Sequence, residues 1–341
     1  MATIYKCPTC GGNMLFDAQT GTLRCEQCSN EMPVEAYEEK DAKEEANAYE
    51  EEGKRQYRCP SCGATLVTDA YTAATTCAYC GSPNIIEEQV DEQFKPDTVL
   101  PFRIEKEDAR TKLKAWCKGG LLTPSDFLST NAVNEKLQGI YVPFWLYDID
   151  TDAQIEAMAE KVKVRRSGNK ETTTRYKYRV ERAGKSSYGK IPRDASKRMD
   201  NEEMDLLEPF QMNEARPFSG AYLSGYSAER YSETKDEVYP RARDAARQYA
   251  IDELRETILG YDSVSITSSK VEEQCRKVEY ALYPVWHYEY KYRNKLYEFM
   301  MNGQTGKVVG KPPISVAKVA FVAVTTFAAT LSLVASVMQL L

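Results

Sequence analysis

A single histidine, His287, stands in 341 residues. No centre that needs two imidazoles can be built from it, and HExxH zinc proteases are excluded with the rest. A net excess of basic charge is also missing: 45 basic against 51 acidic side chains leave −6, which argues against a uniformly basic nucleic-acid binder. The opening Met-Ala-Thr-Ile-Tyr-Lys has no apolar run, so no secretory leader is expected. Cysteine is what the chain has in excess. There are ten, and eight fall in four CxxC pairs. In a chain without a leader, such thiols are expected as metal ligands rather than as disulfides.

The pairs are Cys7/Cys10, Cys25/Cys28, Cys59/Cys62 and Cys77/Cys80. The second four positions repeat the first at a constant offset, and Tyr5-Lys6-Cys7-Pro8 is echoed by Tyr57-Arg58-Cys59-Pro60, so the segment is a tandem duplication. Two thiolates two residues apart grip one metal from a tight turn, and two such turns make a tetrahedral site. Glycine after the second cysteine, as at Gly11 and Gly63, tolerates the positive φ that closes the turn. Four thiolates leave no open position for water or substrate. The expectation is two structural Zn2+ ions in two small β zinc ribbons, residues 1–34 and 57–93, with rubredoxin-like iron as the alternative. A module of this size depends on its metal to fold. The ribbons carry few cations, Lys6 and Arg24 in one and Arg58 in the other, too few for a phosphate-binding surface. Cys117 and Cys275 lie outside the pattern and are expected as inert thiols.

Residues 35–56 hold nine acids and four bases with no proline, which predicts an acidic helical spacer. From 94 to 313 the texture is aromatic. It predicts an α+β domain with helices over 105–118 and 235–259, the second carrying an apolar stripe of Ala245, Tyr249, Leu254 and Ile258. Two Pro-x-Trp-x-Tyr strand signals, Pro143–Tyr147 and Pro284–Tyr288, suggest two related β-hairpin lobes, each proline at a strand entrance or edge. The second leads to a turn at 302–306. Gly303-Gln-Thr-Gly306-Lys307 is not a phosphate loop, because the spacing is short and no helix follows. His287 lacks a nucleophile or an orienting carboxylate nearby in sequence, so no enzyme is expected.

Residues 161–198 carry fourteen Lys/Arg against Glu171, Glu181 and Asp194, a local +11. A hairpin turning at Ser167-Gly168-Asn169 is expected, with Arg165, Arg166, Lys170 and Arg175 as candidate contacts to an anionic surface: lipid headgroups, an acidic partner, or, third, nucleic acid. Residues 319–341 contain no charge and would make a helix of about 34 Å, enough for a bilayer core. One transmembrane helix is expected there. Lys307, Lys311 and Lys318 before it place the preceding domains in the cytosol, as a single-pass, tail-anchored protein of the cell membrane.

The motifs CPTCGG at 7–12, CEQC at 25–28, CPSCGA at 59–64, CAYCG at 77–81, GIYVPFWLYDID at 139–150, YALYPVW at 280–286 and FMMNGQTGKVVG at 299–310 resemble bacterial double-zinc-ribbon proteins of Firmicutes labelled TFIIB-type, nearest the membrane-anchored YdjG-type proteins of Bacillus. The resemblance runs over nearly the whole chain. It implies a non-enzymatic scaffold in envelope-stress systems that brings phage-shock-protein-A-like and SPFH-type partners to the membrane. A membrane-associated nucleic-acid-binding protein of replication or transcription type is the alternative.

Overall fold

A computed structural model describes residues 2–37, 49–51, 54–62, 64–77, 80–86, 95–127, 137–168, 170–293 and 295–340. The protein is multidomain, with two clusters of four cysteines and a large sheet-rich body. The chain divides into two compact units: 1–142 with 198–230 and 282–341, and 143–197 with 231–281. This division differs from the expected segments, because strand pairing ties the ribbons to three separate parts of the 94–313 stretch, 94–142, 198–230 and 282–313, in one unit.

The first unit opens with β1 (Ala2–Thr3), then β2 (Met14–Asp17), β3 (Thr22–Cys25) and β4 (Glu31–Pro33), which form a small antiparallel sheet in the order β2-β3-β4. A second small sheet holds β5 (Tyr49–Glu51), β6 (Lys54–Arg58) and β7 (Thr65–Asp69). The middle of the expected spacer helix, 38–48, lies outside the described residues. Its described C-terminal end is strand, with Tyr49 opposite Gln56 and Glu51 opposite Lys54. Ladder pairing with the ribbon overrides the local helical propensity there.

After β8 (Thr72–Thr76), β9 (Pro83–Ile86) and β10 (Thr98–Val99), α1 runs Lys106–Gly119, as the 105–118 pattern predicts, and buries Ala109, Leu113 and Cys117. Then come β11 (Leu137–Ser167), β12 (Lys170–Asp194), α2 (Asn201–Leu206), β13 (Arg216–Pro217) and β14 (Ser227–Glu229). The chain ends with α3 (Lys235–Glu256), β15 (Ser263–Tyr292), β16 (Lys295–Asn302), β17 (Val308–Gly310) and α4 (Val316–Leu340). The main sheet of the first unit has the order β1-β9-β8-β14-β11-β15-β10-β13, with β16 and β17 continuing from β15. Its core is aromatic: Phe102 stacks on Tyr226 at 4.2 Å between centroids, and Trp286 Nε1 donates to Ile104 O at 2.9 Å.

In the second unit β11 and β12 form one long antiparallel hairpin, and α3 covers one of its faces. Thr234 and Glu237 close a capping box at the helix start. The buried stripe of α3 is Val238, Ala242, Ala246 and Ala250; of the residues expected, Ala245 and Leu254 pack at its margin, Ile258 is buried just past the helix end and Tyr249 is exposed. Alanines let the helix lie close against Tyr147, Ile149 and Ile191 of the sheet. Neither Pro143 nor Pro284 sits at a strand entrance. Pro143 falls after Tyr141, paired with β14, and before Phe144, paired with β12; its carbonyl accepts from Ala195 N at 2.9 Å, and Ala195 O, which the missing N–H would have met, accepts from Ser232 N and Glu233 N instead. Pro284 directly precedes Val285, the first residue of β15 paired with β16.

In α4, Thr325, Thr326, Thr330 and Ser332 donate to carbonyls one turn back, and Phe321, Val324, Phe327 and Leu331 are exposed. Among the described residues no helix is long and apolar enough to cross a membrane. The described side chains of α4 stop at Ser332, so the remainder of the span expected at 319–341 lies outside them.

Candidate metal centres

Each cysteine pair sits on a turn of one repeated design. Cys7 N donates to Gly12 O and Gly11 N to Cys7 O; Cys25 and Cys77 do the same with Asn30 and Ser29, and with Ser82 and Gly81. Cys59 N bonds to Ala64 O in the same way. The fifth position takes positive φ: 73° at Gly11, 73° at Gly81 and 56° at Ser29. Glycine there follows from the turn, and Ser29 is the residue that fills it without being glycine. In every pair the first cysteine is buried and the second exposed.

The turns converge in pairs. Cys7 Sγ is 3.6 Å from Cys28 Sγ, and Cys10 Sγ 3.5 Å from Cys25 Sγ. In the second cluster Cys59–Cys80 is 3.7 Å and Cys62–Cys77 3.8 Å. Within each group all four sulfurs lie within 4.8 Å of one another. A tetrahedral zinc with Zn–S of about 2.3 Å needs sulfur–sulfur edges of about 3.8 Å, so the donor sets fit the ion. Each group could hold one metal ion, compatible with two zinc sites.

The surroundings favour thiolate at some of the cysteines and oppose it at others. Burial raises the Cys7 thiol, but the backbone N–H groups of Cys10 and Thr9 and the neighbouring Cys28 and Cys25 outweigh it and bring it down to about 6. Hydrogen bonds from the Ser82 side chain and backbone pull Cys80 down to about 6 as well. Cys28 has a lowering backbone bond from Asn30, yet the sulfurs of Cys10, Cys7 and Cys25 together with burial push it up to about 12. Four crowded sulfurs cannot all ionise unaided, and a divalent cation at their centre removes that conflict.

The clusters are built into the first unit. Thr3 of β1 pairs with Ile85 of β9, and Asn13 Nδ2 donates to Ser82 Oγ at 3.2 Å, joining the two ribbons. Ser224 Oγ donates to Met14 O at 2.6 Å, and Ala74 of β8 pairs with Ala228 of β14. Asn13, Ser82 and Ser224 gave no signal in the sequence, because their roles come from contacts 69 and 210 residues apart.

The other candidates separate. Cys117 is buried and pushed up to about 12 by burial, and burial likewise raises Cys275. Burial lowers His287 below the ordinary imidazole value. Arg165, Arg166, Lys170 and Arg175 are all exposed on the β11–β12 hairpin, but not on one face: Arg165 pairs with Thr172, while Arg166 pairs with Glu171 and Arg175 lies 3.8 Å from Glu160.

Two four-cysteine clusters on a sheet-rich, two-unit body define a class of protein rather than a reaction. No protein-family model matches the chain, and no solved structure does. The chain is 38% identical over 320 residues to the uncharacterized protein YdjG of Bacillus subtilis (strain 168), covering 94% of this chain and 93% of that one. The chain belongs to the YdjG family.

Proposed function

We propose that this protein is a non-enzymatic, membrane-tethered adaptor. Two structural zinc ribbons of TFIIB type stiffen a body that recruits protein partners to the cytosolic face of the cell membrane. The observation that carries the reading is the closed sphere at each cluster: four sulfurs at tetrahedral spacing leave no position for substrate. The uncharged stretch 319–341 and the exposed apolar side chains of α4 support a membrane helix. The family resemblance supports phage-shock-protein-A-like and SPFH-type partners and a role in envelope stress. Affinity capture of the full chain from detergent-solubilised membranes tests this. Co-purifying proteins that survive nuclease treatment, with two zinc per chain by elemental analysis, are the expected result. Nuclease-sensitive capture dominated by nucleic acid would replace the adaptor by a nucleic-acid-binding reading.

A further inference from the structure

The β11–β12 hairpin outgrows its support. Asp262, just before β15, donates its N–H to Glu160 O at 2.8 Å and accepts from Val162 N at 2.6 Å. Past Val162 the two strands continue together to the turn after Ser167, with Ser167 opposite Lys170. Every described residue from 163 to 179 is exposed. The projecting part is about 20 Å long at about 3.3 Å per residue.

Register and alternation sort its charges into two unlike faces. One face holds Arg166 with Glu171 at 2.7 Å, Arg175 and Lys177 with Glu160 at 3.8 and 3.4 Å, and Arg179 with Glu156 at 2.9 Å. Its cations are answered by carboxylates. The opposite face continues the one that α3 buries through Ile155, Ala157, Ala159 and Val180. Beyond the helix it carries Lys161, Lys163, Arg165 and Lys170, the partners Thr172 and Thr174, and the half-exposed rings of Tyr176 and Tyr178. Between 161 and 178 the one acidic residue, Glu171, is on the other face. Lys163 Nζ lies 5.5 Å over the Tyr176 ring, and Tyr178 packs on Tyr261 at 5.3 Å.

We infer that the face formed by Lys161, Lys163, Arg165 and Lys170 is a docking surface for an anionic lipid bilayer. Four cations spread along one face of the ribbon with no carboxylate among them match a surface of monoanionic headgroups. Tyrosines at the inner end of the strip suit the interfacial zone, where a ring can bury its body and keep its hydroxyl wet. The same rings are engaged by Lys163 and Tyr261, so they do not form an open stacking platform for nucleotide bases. The inference deepens the membrane-tethered reading and rests on it for the presence of a bilayer.

The test uses the full chain with vesicles of phosphatidylcholine, alone or with added phosphatidylglycerol, read by hydrogen exchange at residues 161–178. Protection on the anionic vesicles only, lost at high salt, is expected. Each cation near such a surface raises affinity about fivefold, so Lys161→Glu, Lys163→Glu, Arg165→Glu and Lys170→Glu together should weaken the contact at least about a hundredfold. Arg166→Glu, Arg175→Glu, Lys177→Glu and Arg179→Glu make the same change in net charge on the opposite face and should leave most of the protection. Circular dichroism checks that both variants keep their strands. Equal loss in the two variants, equal protection on neutral vesicles, or stronger protection by duplex DNA than by anionic vesicles would overturn the assignment. Sedimentation with the neutral vesicles reads the 319–341 helix separately: a chain that stays in the supernatant there, yet is protected by anionic vesicles, sinks the anchor and leaves the docking face standing.

Discussion

Single residues carry much of the first unit's order. Asn302 is fully buried, and its side chain donates to Leu207 O and Pro209 O while accepting from Gln304 N and Thr305 N. Truncation would strand four backbone groups. Asn302→Ala should therefore cost about 2–4 kcal/mol in denaturant unfolding of the full chain. Ser29 offers the opposite sign. At φ 56° a side chain is strained, and Ser29→Gly should gain up to about 1 kcal/mol, seen as slower metal release to a chelator. A faster release would show that the serine hydroxyl matters more than the backbone strain.

Elements show where local chemistry decides and where it does not. The α3 start depends on Thr234, and Thr234→Ala should cost about 1 kcal/mol. The Thr234 backbone N–H, followed by its hydroxyl, holds the Glu237 carboxyl below its usual value. The contribution of that carboxylate is present above its unfolded value and is lost as pH falls through the lowered one. A thermal melt series in acid should show Glu237→Gln and the parent chain converging. Caps, turns and knuckles of this kind are local, which is why α1, α3, the turn after Ser167 and the eight cysteines were legible in the sequence. The four hairpin cations were legible as charge, and strand alternation by itself puts Arg165 and Arg166 on opposite faces, but only the register shows which face holds the answering carboxylates Glu171 and Glu160. The end of the spacer misled for the same reason: Ala, Glu and Lys favour helix, and only the pairing of Tyr49 with Gln56 decides for strand.

At the scale of the whole molecule, the clusters are not independent beads. β1 reaches β9 from the opposite end of the duplicated segment, and Asn13 reaches Ser82, which lies 3.3 Å from Cys80 Sγ. Cys25→Ser should remove one metal and also loosen the other, so that the second zinc is lost to chelator sooner than in the parent chain. Elemental analysis across a chelator series checks it, and an unchanged second site would show that the bracing is too weak to matter. The first unit is assembled from three stretches of chain, 1–142, 198–230 and 282–341. That gives it a timetable. On the ribosome the cysteines emerge first, yet the hydroxyl that holds Met14 and the strand that seats β8 arrive only with Ser224 and Ala228. The last stretch follows later still. The second unit closes before that, at 281. Metal capture at the clusters would thus precede the completion of the first unit, and metal scarcity during synthesis would be felt as misassembly of the body rather than as loss of two small modules.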